Sequence, residues 1–149
     1  MHLSNLVVHN STSGQSGGCG QSGVLSLGTS VAVRFTNCTA SGLGGGLAAS
    51  ALMVDENSTL EVSFSRAGQT GGCIRSGQVA LSSGAQLLLD SCSAGGLGGA
   101  AEAAAVTVSA GASVVVRDAT AGRSGGAFSL QSLEVFAAAA VDVQGSTSG

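Results

Sequence analysis

The sequence predicts an all-β fold: a right-handed, three-faced parallel β-helix of five to six coils, with a sequence period of 27. Three observations carry this. Gly-Gly pairs recur at a constant step, aliphatic columns share that step, and the composition supplies a core of small and branched side chains. The pairs are Gly17-Gly18, Gly44-Gly45, Gly71-Gly72, Gly98-Gly99 and Gly125-Gly126, each one period after the last with no insertion. Such a fixed period is the mark of solenoids and arrays.

The first strand of each coil lies before the glycine pair. Leu6, Val33, Leu60, Leu87, Val114 and Val141 form one column, and Val8, Phe35, Val62, Leu89, Val116 and Val143 another. The position between them is mixed, so the pattern is that of a half-buried strand. After the pair, Leu25, Leu52, Val79, Val106 and Leu133 form a third column, and Leu27, Val54, Leu81, Val108 and Val135 a fourth, which predicts a second strand. A third short strand is expected to run through the glycine pair toward Leu47, Ile74, Ala101 and Phe128. The column Ser13, Ala40, Ala67, Ala94, Ala121 and Ser148 reads as a tight corner that requires small residues.

The alternatives fail on period. No 3.6-residue apolar pattern is sustained in any coil, which excludes a helical array, and a propeller blade needs about 40 residues. A left-handed β-helix shows hexapeptide periodicity, of which 27 is no multiple. The right hand follows from the handedness of parallel crossovers. Stacked at the strand spacing of about 4.8 Å, equivalent residues lie over one another, so whole columns share a residue type.

The 149 residues make one domain, residues 1–149, read as a single β-helix segment of a longer array because no polar end coils are visible. Open strand edges at both ends predict end-to-end self-association. Gly is 25 residues, yet apolar residues are 44% and net charge is only −3, which is not the composition of a disordered linker. With five arginines and no lysine there is no basic patch, so no nucleic-acid partner is expected. The longest apolar stretches, residues 103–106 and 136–141, are too short to span a membrane, and no signal peptide is visible.

Candidate chemistry is sparse. The acids Asp55, Glu56, Glu61, Asp90, Glu102, Asp118, Glu134 and Asp142 never occupy one column in adjacent coils. Polysaccharide lyases and glycoside hydrolases need carboxylates gathered on one face. A noncatalytic or partial piece of such an enzyme is the alternative function. His2 and His9 have no evident acid and nucleophile beside them. No catalytic residue, metal ligand or cofactor site is expected. Arg34 and Glu61 are expected to be neighbours in one outward column, and Asp90 and Arg117 in another.

Cys19 and Cys73 share a column two coils apart, as do Cys38 and Cys92. That step is about 9.6 Å, beyond disulfide reach. The four are read as small, semi-buried thiols replacing Ala or Ser, with a Cys19–Cys38 bridge across adjacent coils left open. Asn10, Asn37 and Asn57 each open an N-glycosylation sequon, Asn10-Ser11-Thr12, Asn37-Cys38-Thr39 and Asn57-Ser58-Thr59. Asn10 and Asn37 also share a column, so an asparagine ladder is the competing reading. The column Thr12, Thr39, Arg66, Ser93, Thr120 and Thr147 raises an ice-binding face as a minor alternative, weakened by Arg66 and by the lack of a second rank.

The stretches Gly71-Gly72-Cys73-Ile74 and Gly125-Gly126-Ala127-Phe128, with Phe35-x-Asn37, resemble the Gly-Gly-Ala-Ile and Phe-x-x-Asn motifs of the polymorphic outer-membrane proteins. The likeness is to the β-helical passenger region of these autotransporters, and the second motif departs from their spacing. The resemblance implies a secreted or cell-surface location and adhesion to a host or cell-surface protein or glycan. The expected function is that of a structural or adhesive surface repeat without catalytic activity.

Overall fold

A computed structural model describes residues 5–149 as a parallel β-solenoid. Each coil repeats a five-residue, a two-residue and an eight-residue strand, and each kind stacks into its own sheet. The first sheet holds six strands, Asn5–His9, Ala32–Thr36, Thr59–Ser63, Gln86–Asp90, Ser113–Arg117 and Ala140–Gln144. Every pairing is parallel and joins positions one period apart, for example Leu60↔Leu87 and Leu87↔Val114. The predicted columns are therefore real stacks. Leu60, Leu87 and Val114 are buried, as are Val62, Leu89 and Val116 two positions on, while Leu6 in the outermost strand is exposed.

The third strand differs from expectation. It does not run through the glycine pair. It begins after it and is continuous with the second strand, giving the eight-residue strands Gly20–Leu27, Leu47–Val54, Ile74–Leu81, Ala101–Val108 and Phe128–Val135. Sequence pattern hid this because alternation slips within the strand. Ile74 and Ser76 face inward, and then Val79 and Leu81 do, so the inward step between Ser76 and Val79 is three positions instead of two. At the slip the Ser76 hydroxyl donates to the Gln78 carbonyl at 2.7 Å, and Ser22 does the same to Val24 at 2.9 Å.

The column read as a tight corner is instead the remaining sheet. Its two-residue strands Thr12–Ser13, Thr39–Ala40, Arg66–Ala67, Ser93–Ala94, Thr120–Ala121 and Thr147–Ser148 stack in one register. Ala40, Ala67, Ala94 and Ala121 are small because they point into the core, not because they turn.

Each coil has three corners, and each corner holds one residue in the left-handed region. Asn10, Asn37, Phe64, Ser91, Asp118 and Gly145 follow the five-residue strands with φ between 51° and 62°. Ser30, Asn57, Gly84, Gly111 and Ala138 follow the eight-residue strands. The third corner is the first glycine of each pair, Gly44 for instance at φ 60°. The second glycine serves another need. A Cβ on Gly45 would lie 2.6 Å from the Arg66 backbone nitrogen in the next coil, so the pair allows both the turn and the close stacking of coils.

The thiol reading is corrected: all four cysteines are bridged. Cys19–Cys38 and Cys73–Cys92 have Cα separations of 5.4 and 5.3 Å, within the usual disulfide range. Like columns are indeed too far apart, but each bridge joins unlike columns. The cysteine that follows a glycine pair meets the one that follows the left-handed corner of the next coil.

Candidate functional site

The corner that follows the two-residue strands carries two shallow open notches. One is lined by Gly14, Gln15, Ser16, Ser41, Gly42, Leu43 and Gln69, with a volume of about 380 Å³. The other is lined by Gly68, Gln69, Thr70, Gly95, Gly96, Leu97 and Arg123, with a volume of about 340 Å³. Each lining residue of the second stands two periods after its counterpart in the first, as Gly68 does after Gly14 and Arg123 after Gln69. Gln69 belongs to both.

Their shape comes from one column. Gln15, Gly42, Gln69, Gly96 and Arg123 alternate a long polar side chain with none. Backbone ladders form the floor: the Gly42 amide donates to the Gln15 carbonyl at 2.5 Å, and the Gln69 amide to the Gly42 carbonyl at 2.9 Å. The step then repeats, from Gly96 to Gln69 at 2.5 Å and from Arg123 to Gly96 at 3.0 Å. A Cβ on Gly42 would sit 2.5 Å from the Gln15 carbonyl oxygen, and one on Gly96 2.6 Å from that of Gln69, so glycine lets adjacent coils stack closely at the floor of both notches. Leu43 and Leu97 give each notch one apolar wall. Beside the second notch, Arg75 pairs with Glu102 at 3.0 Å, and the Thr70 hydroxyl donates to the same carboxylate at 3.4 Å.

The notches thus recur every two coils on a solenoid whose strands and corners recur every coil. Positions 15–68 and 69–122 are identical at 19 of 54, while comparisons one coil apart run from 4 of 27 for 15–41 with 42–68 to 10 of 27 for 96–122 with 123–149. The disulfides follow the same two-coil step, since Cys73 and Cys92 stand two periods after Cys19 and Cys38. The cysteine columns held this signal in the sequence.

The sequence candidates are placed as follows. Asn10 and Asn37 form a ladder rung, the Asn37 amide donating to Asn10 Oδ1 at 2.7 Å. Asn57 lies exposed at another corner with φ 56°. Within its sequon, Ser58 is buried, its hydroxyl donating to the Gly28 carbonyl and accepting from the Val31 amide. His9 is exposed, and its Nδ1 lies 3.1 Å from Asn10 Nδ2. His2 lies outside the described residues. Arg34 and Glu61 pair at 2.9 Å as expected. Asp90 and Arg117 are register partners, but among the described residues the ion pairs are Arg34–Glu61 and Arg75–Glu102, and Asp90 instead accepts from the Ser91 hydroxyl at 3.0 Å. The threonine column stacks as a single rank with Arg66 in it. Among the described residues no group of three or more His, Cys, Asp or Glu side chains converges as a metal site would require. No helix of the described residues is long and apolar enough to cross a membrane.

Comparison with known protein families, curated proteins and solved structures finds no match to this chain in any of the three.

Proposed function

We propose that this chain is a noncatalytic structural and adhesive repeat segment, secreted or displayed at a cell surface. The observation that carries this reading is the unbroken register. Every strand and corner recurs at one step and the notches at twice that step, and no loop lengthens to hold unlike residues in one place. Catalysis needs such convergence, and loops are where sites usually sit. The acids are spread along the solenoid: Glu61 and Glu102 are held in ion pairs, and Asp142 accepts from Gln144. What recurs is a side surface of Ser, Thr, Ala and Gly, suited to weak contacts multiplied along its length.

The disulfides support the location. Cys38, Cys73 and Cys92 are buried between coils, and structural bridges persist in oxidising compartments such as the periplasm, secretory pathway and cell exterior. A surface role also agrees with the resemblance of the stretches at 71–74 and 125–128 to the glycine motifs of autotransporter passenger regions.

The test is a turnover screen of the purified, oxidised chain against polygalacturonate, alginate and other acidic glycans. No cleavage is the expected result. Turnover lost on Asp90→Asn or Asp118→Asn would overturn this reading in favour of a polysaccharide lyase.

A further inference from the structure

We infer that the notched corner is a binding track for an extended, neutral β-1,4-linked polysaccharide, read two sugars at a time. The inference rests on the adhesive reading above and gives it a ligand class. Two notches lined by corresponding positions, alike except at Ser16/Thr70, Ser41/Gly95 and Gln69/Arg123, lie two coils apart along the solenoid axis, a distance of about 9.6 Å by strand spacing. A ligand that fills both must present the same chemical group at that interval. In an extended β-1,4-linked chain successive sugars flip, so each face recurs every second ring. Each ring advances the chain by nearly one strand spacing, so one disaccharide spans two coils.

Other linear polymers fit less well. A β-strand peptide repeats every two residues, about 6.6–6.8 Å, and falls out of step. A polyproline II peptide repeats every three residues, about 9.3 Å, but such ligands dock on aromatic-lined grooves, and neither notch contains an aromatic side chain. A nucleic acid requires a line of cations, and Arg123 is the one charged residue lining the two notches.

The notch chemistry suits a neutral sugar. Gln15, Gln69, Ser16 and Thr70 offer carboxamides and hydroxyls that both donate and accept, as sugar hydroxyls do. Leu43 and Leu97 recur at the same interval and offer an apolar contact for the C–H face of a ring. Each contact is weak, and occupation of both notches by one chain makes the sum useful.

The experiment is calorimetric titration of the oxidised 149-residue chain with cello- and chito-oligosaccharides of about two to six sugars, a proline-rich peptide of matched length serving as control. Affinity is expected to rise once the ligand reaches about four sugars and spans both notches. Gln69 lines both, so Gln69→Ala is expected to weaken hexaose binding by roughly twofold to tenfold, the range of one lost hydrogen bond. Gln15→Ala, which touches one notch, should weaken it less. Both side chains are exposed, so the unfolding midpoint should stay unchanged and report intact coils. Absence of binding, affinity independent of length, a Gln69→Ala variant that binds like the parent, or capture of the proline-rich peptide instead would each overturn the track. Cleavage of the oligosaccharide would fell the noncatalytic reading while leaving the track. Adhesion to another ligand, untouched by Gln69→Ala, would do the reverse.

Discussion

Phe64 sits where its neighbours in the stack say it should not. The corner it shares with Asn10, Asn37, Ser91, Asp118 and Gly145 demands a left-handed backbone, which Asn, Asp and Gly adopt most readily. Phe64 holds φ 51° while 63% exposed, so little burial offsets the strain. Phe64→Asn is expected to stabilise the chain by about 1 kcal/mol. The new carboxamide would also stand above Asn37 and extend the rung that Asn37 makes with Asn10. Urea unfolding measures this directly: a higher midpoint at unchanged slope is the expected outcome. A lower midpoint would show that the ring's contacts outweigh its backbone strain.

The bridges set the energetics at the scale of the coil. The two columns joined by Cys73–Cys92 carry Ala100 and Ala119 one coil further on, both fully buried. Alanine therefore fits this site natively, so replacing both cysteines removes the cross-link without crowding the core. With a sequence separation of 19 between the bridged positions, the double variant Cys73→Ala/Cys92→Ala should lose about 3 kcal/mol by the chain-entropy relation. Chemical denaturation of oxidised parent and variant checks this, and equal stability would mean that the cross-link contributes nothing net. The same columns show what sequence could and could not reveal. Leu60, Leu87 and Val114 announce their stack because burial demands one chemistry at each step. The left-handed corners do not, because Phe64, Ser91 and Asp118 share a backbone angle and no side-chain property. The eight-residue strand reads as two because a one-residue slip at positions such as 76–79 breaks the alternation that marks a strand. The disulfides escape a column-by-column reading because each joins unlike columns. The notches escape it because a comparison of single coils averages Gln15 with Gly42 and Gln69 with Gly96.

Across the whole molecule, the coils are not joined alike. A bridge ties the coil of Cys19 to that of Cys38, and another ties the coil of Cys73 to that of Cys92. Between these pairs, where Gly46 and Ser65 occupy the two cysteine columns, noncovalent contacts hold one coil to the next: backbone ladders, packing, the Arg34–Glu61 ion pair and the Thr36–Ser63 hydroxyl hydrogen bond. Solenoid stability is a sum of such neighbour terms, so the molecule is a string of fastened doublets with softer seams. Under tension along its axis, the seams should part first and each doublet should resist as a unit. A fully stretched oxidised chain must also stay short, because each bridge withholds the loop between its cysteines, a sequence separation of 19. At about 3.3–3.6 Å per extended residue, reduction should release roughly 60 Å of hidden length per bridge. Single-molecule pulling with and without reductant would read that difference, and equal end lengths would contradict the pairing. A protein anchored at one end and gripping a surface along its side would then meet a sudden load by lengthening at its seams, while each covalently closed doublet kept its grip.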